Sequence, residues 1–347
     1  MIPLVSIPNF VHQYAQQYAD LFSPDLLEHF ERFLSGIYVC ERRNVETIND
    51  AFVVQVKNQS SSNRFLTEYE WSRQEINERR VKLLLEDPQT RPRRSGVLPI
   101  DDTFTVKFGE HFECAGYYYL PSEKCYSWAH NLVTLHYADE VCDYPLELEL
   151  YQQTDVEEAV RLLDEHGGKY NPEVLARKQT DAMKRRYLWP KLRAVEELAD
   201  KYPSKIQLAC RLVDWAVKHG FNQPFVFDSW YTCKDLCQHI KFRKRQWIGT
   251  TDASDGIYWR GKWHNLGEWV AARSDREFDE VSFKYRGEQE CYRAGSWVAQ
   301  VGKLGRVRLV ASYKKEDGIN RHWYLVFAAY CGIACRDRSW ELWEVGQ

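Results

Sequence analysis

Residues 96–103 read Gly-Val-Leu-Pro-Ile-Asp-Asp-Thr, so a short apolar run leads into two carboxylates and a hydroxyl group. Such a run predicts a buried strand with Asp101 at its tip. Residues 223–231, Gln-Pro-Phe-Val-Phe-Asp-Ser-Trp-Tyr, repeat this design with Asp228, and we expect a helix over residues 232–241. If both strands belong to one sheet, Asp101 and Asp228 can lie close together.

Two carboxylates at neighbouring strand ends favour a cation between them, because like charges at short range repel. Hard oxygen ligands suit Mg²⁺ or Mn²⁺. For each Asp alone, a turn or helix-cap role remains an alternative. Successive strand residues point to opposite faces, which favours Asp101 as the ligand and leaves Asp102 as the alternative.

The composition is that of a globular protein, with 347 residues, 44% of them hydrophobic and 28% charged, and the length suggests two domains. No apolar run reaches the roughly 18 residues of a membrane span, and the N-terminus lacks the features of a signal peptide. We therefore expect a cytoplasmic protein without a membrane partner. The Cys-x3-Cys spacings at residues 233–237 and 331–335 do not match a zinc site and predict free thiols.

Basic residues are clustered, although the formal net charge of −3 gives no reason by itself to expect a nucleic-acid partner. The clusters occupy residues 177–193, 241–245 and 303–315. Basic side chains beside aromatic ones suit a phosphate backbone with exposed bases, whereas solvated helix faces give a similar composition. The candidate DNA-binding residues are Lys184, Arg185, Arg186, Arg243, Lys244, Arg245 and Trp247.

Residues 1–94 predict a small all-helical N-terminal domain. Its amphipathic segments lie at residues 11–22, 24–38, 44–55 and 72–86, with a polar connection at residues 59–63. Such a domain suits DNA binding or dimerisation, and periodicity does not decide between them. A linker rich in Pro and Arg over residues 87–95 marks the boundary to a second domain, residues 95–347.

The second domain has the pattern of an α/β fold. Short turns predict antiparallel strands at residues 115–120, 128–137 and 144–151. Helices are predicted at residues 155–165, 172–187, 190–201 and 204–219, before the strand that ends in Asp228. Three antiparallel strands followed by helix, strand and helix are the order of a ribonuclease H-like mixed sheet with flanking helices. Short strands over about residues 246–310 indicate a β-rich insertion.

These motifs together resemble bacterial insertion-sequence transposases of the DDE superfamily, in the branch with a β-strand insertion. The resemblance rests on residues 100–103 and 227–231 and on the β-rich segment, and it covers about residues 25–327. It implies a ribonuclease H-like fold and two Mg²⁺ ions, for which Mn²⁺ can substitute. It also implies cleavage and strand transfer at the ends of an insertion sequence, by a homodimer assembled on double-stranded DNA with terminal inverted repeats.

The same resemblance implies that Asp101 and Asp228 share the metal ions with a third acid on a helix after the final strand. The candidates are Glu344 and, as the alternative, Glu341, and neither has the Arg and Lys spacing of related branches. Residues 327–336 also depart from the family's pattern. We therefore expect a truncated or frameshifted copy that does not transfer strands.

Two other classes of function remain open. A DNA-binding remnant or repressor with a dead nuclease core would bind terminal-repeat DNA and never nick it. A metal-dependent nuclease or phosphatase unrelated to transposition would cleave DNA without regard to the end sequence and would not join strands.

Overall fold

The computed structural model describes residues 3–54, 57–109, 112–120, 122–153, 155–285, 288–302, 304–315 and 321–329. The chain divides into two compact units, Met1–Arg91 and Pro92–Gln347. The predicted third acids, Glu344 and Glu341, and most of the segment expected to depart from the family lie outside the described residues.

The first unit is helical in its described part, apart from a single bridge between Leu4 and Phe52. Its α-helices are α1 (Asn9–Ala15), α2 (Pro24–Val39), α3 (Val45–Asp50), α4 (Gln59–Thr67) and α5 (Arg73–Glu86). The prediction of a polar connection at residues 59–63 was wrong, because Asn58 caps α4 through the N–H of Ser60. Helix α4 also buries Phe65, whose ring stacks on Trp71.

The second unit begins with four strands and a set of helices. The strands are β1 (Leu98–Val106), β2 (Gly116–Leu120), β3 (Cys125–Ala138) and β4 (Asp143–Tyr151). The helices are α6 (Val156–Glu165), α7 (Pro172–Ala176), α8 (Asp181–Leu192), α9 (Glu196–Ala199) and α10 (Lys205–Lys218). Residues 172–187 were predicted as one helix, but Thr180 caps a new helix by accepting the N–H of Met183. Pro190 was expected to start a helix and instead lies near the end of α8.

The rest of the described chain is rich in strands. It contains β5 (Phe225–Phe227), α11 (Lys234–Phe242), β6 (Trp247–Thr250), β7 (Gly256–Trp259), β8 (Lys262–Asn265), α12 (Leu266–Ala271), β9 (Asp279–Tyr285), β10 (Glu288–Val301), β11 (Gly305–Lys314) and β12 (Tyr324–Ala329). No helix in the described ranges is long and apolar enough to cross a membrane. All eight cysteines in these ranges are free thiols, as predicted for Cys233 and Cys237, whereas Cys331 and Cys335 lie outside the described residues.

The described strands form one mixed sheet in the order β2-β3-β1-β5-β6-β12-β11-β10-β7-β8, with β4 on β3 and β9 on β10. Strand β3 is antiparallel to β1, β2 and β4. Strand β5 is parallel to both β1 and β6, which are its neighbours in the sheet. The antiparallel strands β1 to β4, followed by the parallel strands β5 and β6 that are reached through α10 and α11, confirm the predicted ribonuclease H-like α/β fold.

Two predicted boundaries need correction. Strand β1 does not end at Asp101 but continues to Val106, because residues 100–106 pair with residues 129–135 of β3. The β-rich insertion does not begin at residue 246, because β6 pairs in parallel with β5 and belongs to the core. The insertion extends that same sheet, since β12 pairs with β6 on one side and with β11 on the other.

Candidate active site

Asp101 and Asp228 lie on adjacent parallel strands. Leu98 pairs with Phe225 and Pro99 with Val226, so the same register sets Asp101 of β1 opposite Asp228, which follows β5. Neighbouring strands are roughly 4.8 Å apart, and both residues are exposed to solvent. The structure thus brings the two predicted ligands together.

The two carboxylates have few partners of their own. Asp101 Oδ1 accepts the backbone N–H of Asp102 at 2.7 Å, and Asp228 Oδ1 accepts the backbone N–H of Tyr231 at 3.1 Å. Within the described ranges, neither carboxylate forms an ion pair with Lys or Arg. Desolvation by the surrounding protein, together with the negative charges of Asp228 and Asp102, raises the pKa of Asp101. The positive charge of Lys205 acts in the opposite direction but does not outweigh these effects.

Asp102 points to the other face of β1, where both of its oxygens are engaged. The hydroxyl of Tyr231 donates to Oδ1 at 2.5 Å, and the ammonium of Lys205 donates to Oδ2. This arrangement supports the prediction that Asp101, rather than Asp102, is the metal ligand, because a carboxylate already bound to an ammonium group is a poor ligand for a second cation.

Lys205 is the first residue of α10, whose start is fixed by a capping box between Ser204 and Gln207. Its side chain is only 16% exposed and lies among three aromatic rings. The distances from Nζ to the ring centroids are 5.5 Å for Phe104, 5.4 Å for Tyr151 and 5.4 Å for Trp230. Cation–π attraction and the ion pair hold this ammonium group at Asp102, the neighbour of Asp101 in β1.

The loop after β5 is tied to β6. Thr232 Oγ1 lies 2.9 Å from the carbonyl oxygen of Asp228 and 2.8 Å from that of Thr250. This close approach requires Gly249, since a Cβ there would lie 2.2 Å from Thr232 Oγ1 and 2.8 Å from the Phe227 ring. The loop that carries Asp228 is therefore fixed on both sides.

The donors present fit a hard divalent metal. Asp101 and Asp228 offer carboxylate oxygens at neighbouring strand ends, and desolvation together with the charges of Asp228 and Asp102 raises the pKa of Asp101, an effect that a bound cation would oppose. The described residues contain no group of three or more His, Cys, Asp or Glu side chains that could hold a metal ion. Whether Glu344 or Glu341 supplies a third carboxylate stays a prediction.

The candidate DNA-binding residues differ in their availability. On α8, Arg186 is exposed, Arg185 is half-buried and Lys184 lies 3.4 Å from Asp181. Lys244, after α11, is exposed. These four remain candidates for contacts with phosphate.

The side chains of three other candidates already form contacts within the folded protein. Arg243 donates to both oxygens of Asp214, at 2.6 and 2.9 Å, and Arg245 donates to the carbonyl of Phe221 at 3.2 Å. Trp247 is 4% exposed and stacks against Phe227 in the core. The sequence-based assignment of Trp247 to base stacking is therefore wrong, because its ring faces the sheet interior.

Lys205 and Tyr231 are the residues near the site that sequence reasoning missed. Tyr231 was visible in the motif around Asp228, but nothing in that motif shows that its hydroxyl reaches Asp102. Lys205 is 103 positions from Asp102 and gave no signal, because only the packing of α10 on the sheet brings them together.

Comparison with known proteins agrees with this geometry. A protein-family model described as DDE superfamily endonuclease matches residues 18–259, a range that includes β1, α10, β5 and the residues around Asp101 and Asp228. No curated protein matches the chain. Because the match covers most of the chain and the sheet places the two acids side by side, the protein belongs to the DDE superfamily endonucleases.

Proposed function

We propose that this protein is a Mg²⁺-dependent DNA transposase that cleaves DNA and transfers strands at the ends of an insertion sequence. The observation that carries the proposal is the adjacent carboxylate pair Asp101 and Asp228 on a ribonuclease H-like sheet, neither of which forms an ion pair with Lys or Arg within the described ranges. Membership in the DDE superfamily endonucleases supports nuclease chemistry. Mg²⁺ or Mn²⁺ suits these oxygen donors.

In this proposal Asp101 and Asp228 would hold the two divalent metal ions, whose chemistry would be to activate the attacking oxygen and stabilise the leaving oxygen of a phosphodiester. The chain's own contribution is positional. Strands β1 and β5 fix the two carboxylates on rigid backbone, and the ion pair with Lys205 keeps Asp102 out of the ligand set.

The proposed partner is double-stranded DNA, both the terminal inverted repeats and the target, bound by a homodimer. Support comes from the exposed cations Arg186 and Lys244, because neutralising phosphates with Lys and Arg releases counterions and supplies much of the affinity. A location in the bacterial cytoplasm, associated with the nucleoid, belongs to the same proposal.

The test compares Asp101→Ala and Asp228→Ala with Asp143→Ala, an exposed aspartate at the start of β4. Purified proteins are incubated with terminal-repeat DNA and Mg²⁺, and nicking and DNA binding are measured separately. We expect both site variants to lose nicking and keep DNA binding, since only metal ligands are removed, while Asp143→Ala retains both.

Nicking by either site variant would contradict the assignment of these two ligands. If the wild-type chain binds the repeats without nicking them, the DNA-binding remnant is the better description. Nicking that ignores the end sequence and never joins strands would favour a nuclease outside transposition.

A further inference from the structure

Tyr231 forms hydrogen bonds with two carboxylates of the site, those of Asp228 and Asp102. Its backbone N–H donates to Asp228 Oδ1 at 3.1 Å, and its hydroxyl donates to Asp102 Oδ1 at 2.5 Å. The side chain is 1% exposed, so the aromatic ring is held by packing on all sides. One rigid residue therefore connects the loop after β5 to strand β1.

Lys205 completes this connection from the other side. Its ammonium group donates to Asp102 Oδ2, and three aromatic rings limit its movement. Asp102 is thus fixed through both oxygens, one by a residue of the Asp228 loop and one by the first residue of α10. Because Asp102 and Asp101 share a peptide bond, fixing Asp102 also fixes the backbone that carries Asp101.

We propose that Tyr231, Asp102 and Lys205 are positioning residues that set the separation of the metal ligands Asp101 and Asp228 before metal binds. We call these three residues the brace. The inference rests on the proposed function, because it assigns the brace to that metal site. It also gives a role to the ion pair and the buried tyrosine hydroxyl that meet at Asp102, the neighbour of Asp101 in β1.

The physical consequence is preorganisation. Two like charges move apart when nothing holds them, and a metal must then supply the free energy that brings them together. With the brace in place, the two carboxylates are already brought together when the protein folds, and the metal does not have to supply that free energy. Loss of the tyrosine hydroxyl should therefore weaken metal binding while leaving the ligands themselves unchanged, in the way that outer-shell partners of metal ligands typically act.

Tyr231→Phe tests this, because it removes the hydroxyl and keeps the ring. The matched control is Tyr137→Phe. Tyr137 is also fully buried in the second unit, and its hydroxyl donates to Asp139 Oδ2 at the same 2.5 Å distance. If Tyr231→Phe does not fold, Asp102→Asn serves as the second variant. It keeps the side-chain shape and removes the negative charge to which Lys205 and Tyr231 donate their hydrogen bonds.

Three quantities are measured for each full-length variant: Mn²⁺ binding by electron paramagnetic resonance, the Mg²⁺ concentration that gives half-maximal nicking, and the melting temperature. We expect Tyr231→Phe to raise both metal midpoints by at least about tenfold, with nicking restored at saturating Mg²⁺. We expect Tyr137→Phe to leave both midpoints unchanged even where it lowers the melting temperature equally. A purely structural role for Tyr231 would lower the melting temperature alone.

The two proposals fail in different ways. If the wild-type chain binds Mn²⁺ and Tyr231→Phe binds it equally well, the brace is refuted and the proposed function stands. An equal shift in Tyr137→Phe also refutes the brace. If the wild-type chain binds no Mn²⁺, the proposed metal chemistry fails, and the brace fails with it.

Discussion

Asp101 is held in a state that costs folding free energy. The surrounding protein desolvates its carboxylate and the negative charges of Asp228 and Asp102 lie close by, so its pKa is raised. A residue kept only as a turn or a cap would be expected to have a lowered pKa, because hydrogen bonds to the ionised form favour it. Perturbed carboxylates of this kind are typical of functional sites.

The stability of the metal-free protein should therefore rise in Asp101→Asn. The raised pKa means that Asp101 stays protonated up to a higher pH in the native state than in the unfolded chain, where its pKa is near 3.8. Stability is then lost as the pH rises from that value through the native pKa. Because Asp101 is exposed, solvent screening limits the gain at pH 7 to less than about 1 kcal/mol.

Urea unfolding in EDTA at several pH values between 4 and 8 measures this effect. The gain from Asp101→Asn should grow as the pH rises through the native pKa, stay constant above it, and disappear when Mg²⁺ stabilises the wild-type protein alone. A variant that is less stable than the wild type at pH 7 in EDTA would show that Asp101 is structurally favourable as an anion.

Single residues of the site were predictable from sequence where the signal was local. Asp101 and Asp228 follow apolar runs, and that pattern predicted that they could lie close together on one sheet, as the strand register places them. Lys205 could not be found, because its contact with Asp102 depends on a helix that starts far away in the chain. Trp247 was misassigned because a tryptophan after a basic cluster has the same local pattern whether its ring faces solvent or the core.

Among the elements, α10 and α11 are joined by one polar cluster. Asp214 of α10 accepts two hydrogen bonds from Arg243, at 2.6 and 2.9 Å, and lies 2.8 Å from His239 Nε2. Desolvation opposes ionisation of Asp214, but the hydrogen bonds and charges of Arg243 and His239 outweigh it and lower the pKa of this carboxyl. The helices on either side of β5 are thus connected outside the active site.

Asp214→Asn should lower the free energy of unfolding by about 1 kcal/mol at pH 7, a modest value because the pair is partly exposed. A lowered native pKa contributes stability above the unfolded pKa of about 3.8, and that contribution is lost as the pH falls through the native pKa. Urea unfolding at pH 7 and near pH 3 should therefore show the difference shrinking in acid. A difference that is the same at both pH values would mean that packing, not charge, causes it.

The elements themselves were largely predictable, and their partners were not. Strand β1 was predicted too short because the apolar run stops at the two carboxylates, although residues 103–106, Thr-Phe-Thr-Val, alternate as a strand does and pair with β3. Residues 172–187 have a continuous helical pattern, yet the cap at Thr180 divides them. Periodicity reports which residues can be buried, whereas strand partners and helix breaks depend on neighbours distant in sequence.

For the whole molecule, the β-rich insertion into the second domain was recognised, but its strand pairing was not. Strand β12 joins β6 and makes one sheet of core and insertion. Pairing across such a long sequence separation leaves no mark in local composition. The overall charge of −3 was equally uninformative, because DNA binding depends on which cations remain unpaired at the surface.

The two neighbours Arg243 and Lys244 allow that dependence to be tested. The guanidinium of Arg243 is neutralised by Asp214, whereas Lys244 is exposed and has no ion pair within the described part of the chain. Each phosphate contact contributes about 0.9 to the slope of log affinity against log salt concentration. A cation that is already paired inside the protein should contribute little.

We therefore expect Lys244→Asn to reduce the salt slope for terminal-repeat DNA by about 0.9, and Arg243→Gln to leave it unchanged while lowering stability. Asn is chosen because Lys244 has a φ of 57°, a left-handed conformation that Asn tolerates better than most residues. Affinities of the full-length proteins are measured between 50 and 200 mM salt (roughly the range over which phosphate contacts are most visible).

If Arg243→Gln flattens the slope as much as Lys244→Asn does, the ion pair with Asp214 opens on DNA and the whole basic cluster contacts phosphate. If neither variant changes the slope, DNA is bound by another surface, and the exposed cations of α8 become the next candidates.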